Sequence, residues 1–362
     1  MAGLGPGPFA AMMLADHGAE VIRVERAEMI GIPNDPLLRN RRSISLDLKR
    51  EECREAVRKL AAGADGIVEG YRPGVMERLG LGPGSLQAAN PKLVYGRITG
   101  WGQDGPLAGE AGHDINYLAL TGLLHGLGEP DRPPRPPMNL VADYAGGGMM
   151  LAFGMVAALL AVERGEAGQI VDAAMSEGAS LVGTLQYGMR AAGQWTDERG
   201  ANLLDGGMAL YGCFECADGR FVALGAIEPQ FRAAFLNRVG LTDDPLFYSS
   251  FDPGSWPTQK AKIAAVLREK ARDEWIELFA GTDACVAPVL TMAEAPCHPQ
   301  NVARATFREI GGVMQPMPSP RFSGARGETP TPPRREGQDG PEILTELGYD
   351  ADKISKLLKG EG

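Results

Sequence analysis

EVIRVE, residues Glu20 to Glu25, is a short run rich in β-branched residues, and runs of the same kind recur as GIVEG (Gly66 to Gly70), LVYGRITG (Leu93 to Gly100) and GQIVDAAM (Gly168 to Met175). Between the first two lies REECREAVRKLAAG, Arg50 to Gly63, whose apolar positions fall at three- and four-residue steps and which ends on glycine. That is the pattern of an amphipathic helix with a glycine stop. Strands alternating with helices over about 190 residues predict an α/β domain with a largely parallel sheet.

The 362 residues suffice for roughly two domains with sizeable cores. Hydrophobic residues make up 44% and charged residues 23%, the balance of a folded globular chain. A net charge of −10 argues against nucleic acid as a partner, because that needs a strongly basic face. The five cysteines, an odd number in a long chain, do not suggest a disulfide framework. The longest apolar stretch, Met149 to Val162, falls short of the roughly 20 residues that span a bilayer. With no leader pattern at the start, the expectation is a soluble, cytoplasmic protein with no membrane partner.

The proline-dense run GEPDRPPRPPMNL (Gly128 to Leu140) reads as a stiff connection into a helix. Asp143 stands at or near the start of that helix, ahead of Gly146 to Gly148. Polar, glycine-rich sequence then marks a linker, and CFEC, the turn ADG and RFVALGA signal a β-hairpin. These boundaries predict a large domain over 1–192, a linker over 193–207, a small domain over 208–308, and a return over 309–362. Its last helix, Pro341 to Lys359, should pack back on the large domain.

Among residue types that carry chemistry, His113 in AGHDINYLALTG lies between a glycine and an acid at a helix start, where it is either a proton carrier or a cap. Three acids could work with it. Asp114 is adjacent, but neighbours on a helix do not face one another. Asp143 has glycines after it that let a ligand approach the backbone, and a helix N-terminus that favours its charge. Glu228, before Pro229, could equally be a simple cap. Spacing does not choose among them.

Other signals are weaker. GLGPGP (Gly3 to Pro8) lacks the third glycine of a dinucleotide loop and no strand precedes it. Cys213 and Cys216 form a C-x-x-C pair with no second pair to complete a zinc site, so no metal is expected. Arg39, Arg41, Arg42, Lys49, Arg72 and Arg78 stand out in so acidic a chain and suit a ligand carrying several phosphates.

GLGPGP, DHGAEVIRVE, LRNRRSISLDLK, GYRPGVMERLG, ITGWGQDGP, AGHDINY, RGANLLDGG, ECADGRFVALGAIEPQF and DACVAPVL together resemble the α-methylacyl-CoA racemases, of the class III CoA-transferase superfamily. The resemblance runs through nearly the whole chain. It implies a Rossmann-like large domain made from both chain ends, a smaller α+β domain, and an interlocked homodimer. It implies that His113 and Asp143 are the acid/base groups on either side of the α-carbon of a 2-methylacyl-CoA. Glu228 would orient His113 from the other subunit. Transferases of the superfamily tend to carry tyrosine or phenylalanine in place of the histidine and use the aspartate as a nucleophile, which makes a CoA-transferase the alternative activity.

Coenzyme A is then part of the substrate, no further cofactor is implied, and a backbone N–H near Asp114 would meet the enolate. The implied coenzyme contacts are Arg26, Arg39, Leu46, Asp47, Leu48, Lys49, Gly70, Tyr71, Arg72, Arg78, Gly112, His113, Asp114, Ile115, Asn116 and Tyr117. Two departures from the family pattern stand out. A strand of the type L-x-G-x-R-V-x-E is expected before GLGPGP, where this chain has Met-Ala-Gly, and Met208 and Gly212 replace more typical linker residues and could alter acyl specificity.

Overall fold

The computed structural model describes residues 1, 3–26, 32–248, 251–324 and 329–358. Residues 325–328, within the expected return, and Lys359, at the end of the expected last helix, lie outside these. The chain forms two compact units. One holds residues 1–121, 138–182 and 299–362, and the other 122–137 and 183–298.

The first unit begins with α1 (Pro6–Asp16), whose prolines sit in the first turn, where an absent N–H leaves nothing unpaired. Then come β1 (Val21–Glu25), β2 (Arg41–Ser45), α2 (Glu51–Ala62), β3 (Gly66–Glu69), α3 (Val75–Arg78), α4 (Pro83–Ala89), β4 (Val94–Thr99) and α5 (Asp114–Ala119). A helix over Leu140–Met149 with the wide turns of a π-helix runs directly into α6 (Met150–Glu163), followed by β5 (Ile170–Ala174) and α7 (Met175–Val182). The strands β3, β4 and β5 form one parallel sheet in that order, and β1 pairs with β2 in a second parallel sheet. The four strands expected from sequence are all present. Unforeseen was β2, because the arginines at 41 and 42 mask its strand character.

Close backbone packing sets the position of the π-helix. A Cβ on Gly146 would lie 2.4 Å from Ala179 N, and one on Gly178 would collide with Gly146 O. At Gly147 it would meet Met175 Cγ at 2.7 Å, and at Gly148 a ring carbon of Phe9 at 2.7 Å. The glycine triplet therefore admits α7 and α1. The space expected for a ligand there is filled by protein.

The second unit comprises α8 (Thr184–Ala191), β6 (Tyr211–Glu215), β7 (Phe221–Gly225), α9 (Pro229–Arg238), α10 (Trp256–Leu267), α11 (Arg272–Phe279) and β8 (Val286–Pro288). Its three strands form one antiparallel sheet. The core gathers Phe279, stacked against both Phe235 and Trp275, with Leu210, Val222 and Ile263. The division between units falls after Val182, earlier than the sequence boundary at 192, and Gly122 to Pro137 joins the second unit. The reason is local: Arg199 donates to the carbonyls of His125, Glu129 and Arg132, and Leu123 fills the space beside Gly183.

The chain returns to the first unit as α12 (Pro299–Ala303), the antiparallel pair β9 (Phe307–Ile310) and β10 (Val313–Pro316), α13 (Gly340–Glu346) and α14 (Ala351–Leu358). Ile343, Leu344 and Leu357 join Ile44, Cys53 and Val57 in one buried cluster. Asp339 Oδ2 accepts from the Ser43 N–H at 2.8 Å.

One expectation is corrected. The apolar stretch does not stop at Met149: the continuous helix Leu140–Glu163, 24 residues, is long and apolar enough by length and composition to cross a membrane. In this fold 39% of its most apolar window is buried, and Phe153, Val156 and Leu160 are exposed.

Gly146→Val places side-chain atoms inside the Ala179 backbone. The expected outcome is a loss of about 3 kcal/mol or more in urea unfolding, and an unchanged midpoint would show that the two helices do not need this approach.

Candidate functional site

In the three-stranded parallel sheet the C-terminal ends of β3 and β4 point the same way, so the segments that follow them gather at one edge, the usual place for a ligand in such sheets. A cleft of ≈ 180 Å³ opens there within the first unit. Its walls are the α1 entry (Gly3, Leu4, Pro6, Gly7, Pro8), the end of β3 (Val68, Glu69, Gly70), Ile98 of β4, Gly112, His113 and Tyr117 around α5, then Asp143 and Met175, with Met1 beside them.

His113 stands at the N-cap of α5. Asn116 Oδ1 accepts from the His113 N–H at 3.0 Å, and the His113 carbonyl accepts from the Asn116 N–H at 2.8 Å. The asparagine side chain thus closes this helix start. Asp114 turns away from the cleft: it is 4% exposed, and its Oδ2 accepts from the N–H groups of Ala142 and Asp143, both at 2.8 Å. The Asp114 carboxylate is thus directed at backbone N–H groups inside the protein.

Asp143 lies in the first turn of the π-helix, with Asn139 Nδ2 donating to its Oδ2 at 3.2 Å. Burial holds its carboxyl above the ordinary value of 3.8; the Asn139 amide and the His113 charge oppose this, while the Asp114 charge adds to it. Gly5, at φ 68°, brings the α1 entry against Asp143: a Cβ there would stand 3.8 Å from Oδ2.

Tyr117 closes the cleft's other side. Its hydroxyl donates to the Gly112 carbonyl and its ring meets Trp101 edge-on at 4.8 Å. Side chains on Gly100 or Gly112 would occupy the same space as that ring. Burial foremost, then the Asp143 charge, raises the Tyr117 hydroxyl, against Arg72. Glu69 is 1% exposed, accepts from Arg97 Nε at 2.9 Å and from the Tyr71 N–H at 2.7 Å, and burial keeps its carboxyl above the ordinary range. Arg97 continues to Glu77 at 2.8 Å. This network fixes the turn over Gly70, Tyr71 and Arg72.

The basic candidates separate. Arg39 is 3% exposed and engages both Asp16 oxygens, Gln315 and the Pro316 carbonyl, so its guanidinium is committed inside the protein. Arg41 is buried and donates to the Leu37 carbonyl; burial first, then Arg23, lowers it to about 10. Arg42 forms ion pairs with Glu20 and Glu346. All three are thus engaged by groups of the protein itself. Arg26, Lys49, Arg72 and Arg78 are exposed, as are Asp47, Ile115 and Asn116. The charge of Arg26 acts on Tyr71 and that of Arg72 on Tyr117. Leu46 is buried and Leu48 partly so, which makes them supports of this segment.

Glu228 belongs to the second unit, exposed at the N-cap of α9. Met208, expected to bear on acyl specificity, is fully buried in that unit's core. Two cleft elements were missed in the sequence. GLGPGP carries no site residue in the sequence reading, although Gly5 ahead of Pro6 signals a sharp entry into a helix. Glu69 was read as strand, although an acid at a strand end before glycine marks a sheet edge.

Because the Asp143 carboxyl is raised in the folded chain, the folded state binds more proton than the unfolded one from pH 3.8 up to the raised value, and its ionisation removes stability as pH rises through that window. Asp143→Asn is expected to raise the urea midpoint at pH 7 and leave it unchanged near pH 3. A lower midpoint at pH 7 would contradict the burial argument.

The profile of CoA-transferase family III matches residues 1–340. The chain is 44% identical over 362 residues to a Mus musculus protein named alpha-methylacyl-CoA racemase, covering 99% of this chain and 93% of that one. It is 43% identical to the Homo sapiens protein of the same name, covering 99% and 94%. Among solved structures, a CAIB/BAIF family protein from Brucella suis superposes with a TM-score of 0.82 at 28% identity, covering 96% of this chain and 97% of that one. The Mycobacterium tuberculosis protein Rv3272 gives 0.77 at 26%, covering 95% and 96%.

Proposed function

Since the chain belongs to CoA-transferase family III, with near-full-length relatives named as racemases, we propose that it interconverts (2R)- and (2S)-2-methylacyl-CoA thioesters by moving one proton at C2. The observation that carries this is the presence of His113 and Asp143 on the wall of one cleft. A proton next to a thioester carbonyl is only weakly acidic, so its removal needs a base on one face, a donor on the other, and a partner for the enolate oxygen.

Imidazole and carboxylate supply the first two. One base takes the C2 proton to give the enolate and the other returns a proton to the opposite face; for the other enantiomer the roles exchange. Each proton rests on a side chain between steps, so this route calls for no metal or redox group. The raised Asp143 carboxyl suits it, since a carboxyl that keeps its proton nearer neutral pH can donate as well as accept. N–H groups in the first turn of α5 are the natural partner for the enolate oxygen. Arg26, Lys49, Arg72 and Arg78 would hold the coenzyme phosphates, with Gly70, Tyr71, Gly112, His113, Ile115, Asn116 and Tyr117 along the remainder of the substrate.

The proposal extends to the assembly. The large unit would be a Rossmann-like domain in an interlocked, cytoplasmic homodimer, with Glu228 of one subunit orienting His113 of the other. Exposed Phe153, Val156 and Leu160, at helical spacing along one face of α6, support this, because an exposed apolar face usually meets a partner.

A single-enantiomer 2-methylacyl-CoA in deuterated water should gain deuterium at C2 and lose optical activity. His113→Ala should slow this by roughly 1,000-fold or more. Full activity in that variant would refute the role of His113, whereas no exchange by the unaltered protein, with acyl transfer to an added acid, would favour the transferase with Asp143 as nucleophile. Phe153→Asp should shift the sedimenting species from dimer to monomer, and a monomeric unaltered protein would end the dimer proposal.

A further inference from the structure

The Asp114 side chain takes no part in the two-base reaction, yet it is more buried than either base. Its backbone follows His113 directly, and its carboxylate is 4% exposed. One oxygen receives the N–H groups of Ala142 and Asp143, both at 2.8 Å, from a segment 28 and 29 residues further along. The other oxygen is buried with no hydrogen-bond partner among the described residues. First-turn N–H groups have no partner inside their own helix, and the positive end of the helix favours an anion. Here the cap comes from the element that carries the opposite base.

We propose that Asp114 is the positioning residue of this site: its carboxylate pins the Asp143 backbone to the segment that carries His113 and so fixes the gap in which the α-carbon is held. The proposal rests on the racemase reading above. It accounts for a buried carboxylate that receives two successive N–H groups, those of 142 and 143, from the first turn of the helix that carries Asp143. The clamp is also electrostatic, because its negative charge bears on Asp143.

The groups around Asp143 are few. His113, Asp114 and Tyr117 face it from the α5 segment, and Asn139 from the residue before its own helix. Arg72 acts on Tyr117. On the other elements packed there, Asp16 of α1 is held by Arg39, Arg97 of β4 by Glu69 and Glu77, Asp172 of β5 accepts from the Gln103 N–H, and Glu177 of α7 is exposed.

Two variants separate the clamp from general damage. Asp114→Asn keeps an oxygen for both N–H groups but loses the charge; Asp114→Ala loses both. With C2 deuterium exchange as the assay, Asp114→Ala is expected to lower kcat roughly 100-fold with KM within about threefold, since displacement of a reacting group by about 1 Å has that scale of effect. Asp114→Asn is expected to stay within about tenfold of the unaltered kcat and to move the acidic limb of the pH profile to lower pH, because removing a like charge lets Asp143 ionise more readily. Equal kcat in the alanine variant, or an unmoved limb in the asparagine variant, overturns the proposal. If the alanine variant does not fold, the limb of the asparagine variant decides alone. Exchange by the unaltered protein with unaffected variants sinks this inference and leaves the racemase reading standing; no exchange by the unaltered protein sinks the reading first.

Discussion

The structure depends on one constraint, the approach of the helix over Leu140–Met149 to α7 at a distance that only glycine permits. Gly146 and Gly178 touch backbone to backbone, and Gly147 and Gly148 seat Met175 and Phe9. Any larger residue would lift the helix away from the sheet and take Asp143 with it. Met175 then serves twice, filling the space over Gly147 and forming part of the cleft wall. A packing requirement and a chemical one are met by the same three positions.

Much of this was legible in the chain. The strands announced themselves through β-branched runs, and α2 through its spacing and its glycine stop. His113 and Asp143 were each flagged as standing at a helix start, which is where the structure puts them. What the residues could not convey was partnership across long separations. Whether an arginine meets a phosphate or an aspartate 23 residues away depends on the fold, and Arg39 met the aspartate. The strand β2 was hidden for the same reason, since its charged residues are paid for by partners remote in sequence: Glu20 and Glu346 for Arg42, Asp339 for the Ser43 backbone.

Buried charge has two uses in the first unit. Away from the cleft, Asp16 with Arg39 ties α1 to the β10 region through paired groups. At the cleft, Glu69 and Asp114 hold backbone N–H groups, so that their oxygens set the course of the main chain. Leaving such a carboxylate without its partners is costly in a low-dielectric interior. The two acids therefore define the local path of the loops more sharply than apolar contacts alone would.

The return of the last 64 residues to the first unit bears on how the chain is made. The cluster that joins Ile44, Cys53 and Val57 to Ile343, Leu344 and Leu357 cannot close until residues 343 to 357 have left the ribosome. Most of the second unit, 183–298, is continuous in sequence and can form its core while the rest is still being synthesised. The sheet of β1 and β2 is in this sense finished last, and until then its β2 strand, later covered by α13, is open to other chains.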